Sequence, residues 1–125
     1  MIDASQPCST ATMTATSSPM DALHARYARS FASKHAALLE AWRAFSATPD
    51  EASACNLRAL VHRLAGSAPT YGYASLGLLA RNADHAFAPA STPHSGRELA
   101  ARLEGPIQAL LEDLARQAER AAAGQ

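Results

Sequence analysis

Apolar residues recur at helical spacing along most of the chain, and no segment alternates with a period of two. Met20, Leu23, Tyr27 and Phe31 form the first stripe, which Leu38, Trp42 and Phe45 continue. Ser18 is placed to cap it, with Pro19 at the first helical position and Asp21 in the first turn. Between the two parts of the stripe, Ser30 to His35 is weakly apolar on that face. The spacing predicts a short first helix, a break near Ser33 and a second helix to about Ser46. A single continuous helix is the rival reading.

Thr48, Pro49 and Glu51 predict the next start, with Thr48 as cap and Glu51 completing a capping box. Leu57, Leu60, Val61, Leu64 and Ala68 make one face of that third helix, and Gly72 is a natural stop. A fourth helix, from about Tyr73 to Phe87, turns Leu76, Leu79, Ala80, Ala83 and Phe87 inward. Residues 88–94 carry two prolines and read as a loop. Ser95 to Glu98 is a second capping box, opening a last helix on Leu99, Leu103, Ile107, Leu110 and Leu114. Gly105-Pro106 falls inside that helix and is expected to kink it. Residues 1–18, rich in Ser and Thr, read as a flexible tail. The expected fold is all-α: an antiparallel four-helix bundle with a short additional N-terminal helix, over residues 19–123.

Composition narrows the function. At 125 residues the chain has room for one domain with a real core. Its 11 Lys and Arg balance 11 Asp and Glu, interspersed, so no nucleic-acid footprint or membrane patch is expected. No apolar run approaches the roughly 20 residues of a membrane span, and no secretory signal opens the chain. Cys8 and Cys55 suggest no pairing, which fits a reduced, cytoplasmic protein. His24, His35, His85 and His94 show no ligand spacing and read as solvated surface residues rather than a metal site. Trp42, Phe45, Phe31 and Phe87 read as core. Of Tyr71 and Tyr73, one is expected to pack beneath the turn.

One histidine stands apart. With about 100° per residue and Leu57 at zero, His62 falls roughly 140° from the apolar stripe. It therefore projects away from the core. Around it lie Cys55, Arg58, Ala59, Gly66 and Pro69. A solvated helix face usually carries Lys, Glu, Gln or Arg. Small residues stand here instead, and Gly66 inside a helix costs about 1 kcal/mol relative to Ala. Bare space beside an imidazole suits the approach of a bulky reactive group.

The run His62, Ala65, Gly66, Ser67, Ala68, Tyr71, Gly72 resembles the motif of histidine-containing phosphotransfer (HPt) domains, and the resemblance extends from about Leu57 to Phe87. It implies a phosphorelay intermediate of two-component signalling. His62 would take a phosphoryl group from a receiver-domain aspartate and pass it to another receiver. It implies a phosphocarrier and not an independent enzyme, with no intrinsic cofactor and with Mg²⁺ on the partner receiver. The implied partners are response-regulator receivers and a hybrid sensor histidine kinase. A single domain opening on Met1 reads as a free-standing carrier, with a fragment of a hybrid kinase as the alternative and a monomer as the default state. Many family members carry lysine at the position of Ala65; Arg58, or Arg63, is the candidate replacement charge, with Gly66 and Ser67 completing the phosphoryl site. Ala59, Gly66, Pro69, Tyr73 and Leu78 are the expected docking surface. The alternative is a helical adaptor that binds receivers without relay activity. The phosphoacceptor domain of a sensor kinase would require an ATP-binding domain for which the chain has no room.

Overall fold

The structure, a computed structural model, describes residues 19–87 and 96–123. The readings of the tail 1–18, the loop 88–94, the caps at Ser18 and Ser95, and Cys8 and His94 lie outside these residues. Five helices follow in order: α1 Pro19–Arg29, α2 Phe31–Ala47, α3 Glu51–Thr70, α4 Ala74–Phe87 and α5 Gly96–Ala123. With α1 and α2 counted as one interrupted helix this is a four-helix, all-α bundle, as the apolar spacing predicts. α2 packs on α3, α3 on α4 and α4 on α5, and α5 closes back on α2. No described helix is long and apolar enough to cross a membrane.

The α1–α2 junction lies at Ser30, earlier than the break expected near Ser33. Ser30 keeps helical angles (φ −82°, ψ −7°), and its N–H still donates to the Tyr27 carbonyl at 3.0 Å. Its hydroxyl donates to the same carbonyl at 2.5 Å. A serine side chain that competes for backbone acceptors in this way loosens a helix locally without ending it. The chain is interrupted, as the two-helix reading expects, at a residue that itself keeps helical angles.

One apolar cluster forms the core. Phe31, Leu38 and Phe45 of α2 meet Leu57, Val61 and Leu64 of α3, Leu76 and Phe87 of α4, and Leu103, Ile107, Leu110 and Leu114 of α5. Each such side chain stabilises the fold by about 1.5–3 kcal/mol on burial. Leu60, Leu79, Leu99 and Trp42 are only half-buried at its margin. Met20 and Leu23 break the predicted stripe: they are 56% and 40% exposed, because α1 touches the bundle mainly through its C-terminal part at Tyr27 and Ala28. α5 runs unbroken through Pro106.

The α3 cap is Asp50, not Thr48. Asp50 is extended (φ −112°, ψ 178°); its Oδ1 accepts from the Ser53 N–H at 2.8 Å, and its own N–H donates to Ser53 Oγ at 3.2 Å. Thr48 is instead committed to ending α2, its N–H donating to the Ala44 carbonyl at 3.0 Å. These bonds, the Ser53 N–H foremost, hold the Asp50 carboxyl below the usual carboxylate range.

α3 stops where glycine allows it. Gly72 has φ +90°, and the Tyr73 N–H reaches back to the Ala68 carbonyl at 2.9 Å, closing a Schellman-type end. Both flanking tyrosines pack, where only one was expected to. Tyr71 stacks on Tyr27 with centroids 4.3 Å apart; Tyr73 sets its edge to Phe31 at 4.9 Å. α4 then returns antiparallel against α3. A Cβ built on Gly77 would sit 2.5 Å from Cγ of Pro69, so the two helices touch there at glycine distance.

Candidate functional site

His62 lies on the outer face of α3 with its side chain 75% exposed. Helix phase puts it there: Val61 and Leu64 on either side of it in sequence are buried in the core. The ring is not loose. His62 Nδ1 lies 3.1 Å from Asp84 Oδ2, on α4. Asp84 Oδ1 lies 3.5 Å from Arg58 Nε, one turn before His62 on α3. Asp84 is only 16% exposed, so its carboxylate is seated between the helices and presents one oxygen to each cationic or donor group.

This contact defines what the imidazole can do. A carboxylate only accepts, so Nδ1 carries the hydrogen and donates it to Asp84. The lone pair then belongs to Nε2, at the far edge of the ring, where no partner is found among the described residues. An imidazole held in this way can act as an oriented nucleophile through a nitrogen that faces solvent. A Cβ built on Gly66 would meet nothing within 4 Å, so the flank one turn on is open, as the sequence pattern predicts. Cys55, Arg58, Ala59 and His62 line a shallow depression of about 320 Å³ on the same face.

The remaining sequence candidates divide. Ala59, Gly66 and Pro69 are exposed on α3, and Leu78 is 58% exposed on α4. Three phosphoryl-site candidates point elsewhere. Ser67 is turned toward α1, where its hydroxyl and that of Tyr27 share a 2.7 Å hydrogen bond. Arg63 lines a different groove, with Tyr27 and Lys34. Ala65 is half-buried against the core. Tyr73, expected on the docking surface, is half-buried against Phe31. Helix phase explains all four, since each lies on a flank of α3 or in the turn beyond it. His24 and His35 are half-buried where solvated positions were expected, with His24 set edge-on to Tyr71 at 5.7 Å. Among the described residues no group of His, Cys, Asp and Glu is arranged to hold a metal ion.

Asp84 is the residue that sequence reasoning missed. Its signal was present but indirect. His62 and Asp84 are equidistant along the chain from Tyr73 at the turn, and so are Pro69 and Gly77. In an antiparallel hairpin such pairs face each other. The apolar stripe of α4 alone does not distinguish Asp84 from the other polar residues of that helix. Compared with protein-family models, with curated proteins and with solved structures, the chain finds no match.

Proposed function

We propose that this chain is a phosphorelay intermediate of the HPt type, with His62 Nε2 as phosphoacceptor. The observation that carries the reading is an exposed imidazole tethered through Nδ1 beside an open Gly66 flank. In the first transfer the Nε2 lone pair attacks the phosphorus of a receiver's aspartyl phosphate. The phosphorus–oxygen bond breaks and the receiver's carboxylate leaves. The ring keeps its Nδ1 proton and gains positive charge next to Asp84. In the second transfer a carboxylate oxygen of another receiver attacks the phosphorus, the phosphorus–nitrogen bond breaks, and a neutral imidazole leaves. No proton need move in either step. Phosphoryl transfer depends chiefly on positioning and charge neutralisation; the receiver would bring Mg²⁺ and most of that neutralisation. Arg58 is the support this chain itself offers, and the reading places the protein in the cytoplasm as a monomeric carrier between a hybrid sensor kinase and its receivers.

The test is incubation with a panel of phosphorylated receiver domains. The expected product is a phosphate on this chain that is acid-labile and base-stable, and that His62→Gln abolishes. A chain that binds receivers and acquires no phosphate would be an adaptor, and the relay reading would fall.

A further inference from the structure

On the other flank of α3, away from His62, a half-open groove of about 460 Å³ runs between α2 and α3. Its size lies within the roughly 300–1,000 Å³ of small-molecule sites. Leu38, Leu64 and Leu114 make the floor; Leu114 belongs to α5, so the groove reaches the bundle core. Lys34 enters from α2 and Arg63 from α3. No acidic residue lines it among the described residues.

Lys34 is half-buried without an anionic partner among the described residues, while Arg63 is exposed. Lys34 Nζ donates to Ser30 Oγ at 2.7 Å and lies 4.8 Å from the centre of the Tyr27 ring. An ammonium has three protons to give, and no carboxylate is within ion-pair reach of Lys34 or Arg63 among the described residues. Burial pushes the Lys34 amine below the ordinary lysine value. A partly desolvated cation without a counter-ion is unfavourable, and an incoming anion relieves it.

We propose that this groove binds an amphipathic carboxylate, its acid group between Lys34 and Arg63 and its apolar body on Leu38, Leu64 and Leu114. The charge excludes cationic ligands. The apolar floor disfavours free inorganic anions, and no glycine-rich phosphate cradle is present among the lining residues.

The experiment titrates the full chain with decanoate and, separately, with 2-naphthoate, followed by amide chemical shifts. The neutral controls are 1-decanol and 2-naphthalenemethanol. The expected result is saturable binding of one or both acids, with shifts centred on Lys34, Leu38, Arg63 and Leu64 and little change at His62 and Ala59. The neutral analogues should bind roughly tenfold more weakly, and Lys34→Gln or Arg63→Gln should weaken each acid by a similar factor. Whichever acid binds tighter identifies a linear or a flat body. Absence of saturable binding, equal affinity for the neutral analogues, or unchanged affinity in both variants with the fold intact would overturn the proposal. Phosphate acceptance at His62 is scored apart from this titration, so failure of either reading leaves the other standing.

Discussion

Asp84→Asn is the substitution that separates an oriented nucleophile from a merely exposed histidine. It preserves shape and removes charge. An asparagine can offer Nδ1 either an oxygen or an N–H, so the ring is no longer committed to presenting its lone pair at Nε2. It also withdraws the anion beside the ring as positive charge develops there. Two unit charges about 4 Å apart attract by about 1 kcal/mol in water and about 4 kcal/mol at an effective dielectric of 20. Here the partners are 75% and 16% exposed, which places the loss in the lower half of that range, at about 1.5–2 kcal/mol. Since 1.36 kcal/mol is tenfold, transfer to His62 should slow by about ten- to thirtyfold. The assay is single-turnover transfer from a phosphorylated receiver at saturating concentration, with ¹⁵N shifts of the His62 ring recorded alongside. The native ring should show hydrogen on Nδ1, and the variant a mixture. Thermal stability should change by about 1 kcal/mol, since the resting imidazole is uncharged and the Arg58 side chain that also faces Asp84 is half-exposed. An unchanged rate in the variant, or hydrogen on Nε2 in the native protein, would refute the reasoning.

Other expectations follow from the same geometry. Gly66→Ala should stabilise the fold by about 0.5–1 kcal/mol, because its Cβ meets open space and alanine is the better helix former. Gly66→Leu should fold equally well yet need far more receiver to reach half-maximal transfer; equal saturation curves would mean that the open flank is not used. Gly77→Ala drives a Cβ to 2.5 Å from the Pro69 ring and should cost about 1–3 kcal/mol in urea denaturation. Pro69→Ala should restore part of that loss, and strict additivity of the pair would contradict the contact. Asp50 gives an acid dependence: its carboxyl is held low in the fold, so the unfolded chain takes up the proton first as pH falls. The cap's contribution is present above the ordinary aspartate range and is lost as pH drops through the folded value. Urea midpoints of Asp50→Asn should fall less steeply toward acid than those of the native chain.

Much of the fold is legible in the sequence. The stripes of α3, α4 and α5 place Leu57, Val61, Leu64, Leu76, Ala80, Leu103 and Ile107 inside, because burial is nearly all that decides those positions. The outward phase of His62 followed from the same arithmetic. What failed was local competition. The sequence reading gave the α3 cap to Thr48 alone; Thr48 is engaged at the end of α2, and Asp50 caps instead. Met20 and Leu23 satisfied the periodicity without having a neighbour to bury them. Ser67 sat in the right motif, but a hydroxyl two flanks round from His62 found Tyr27 instead. Asp84 needed a pairing between helices, which a stripe read one helix at a time does not supply.

The tight turn at Gly72 carries a consequence beyond reversing the chain. Surface connections generally accept extra residues at small thermodynamic cost. Here one added residue would advance α4 by about 100° of rotation against a partner already fixed by its glycine end. Asp84 would swing off the imidazole, and the bulk of another side chain would arrive opposite Pro69. The span from His62 to Asp84 thus acts as a ruler, and the most accessible loop of the hairpin is the place least able to change length.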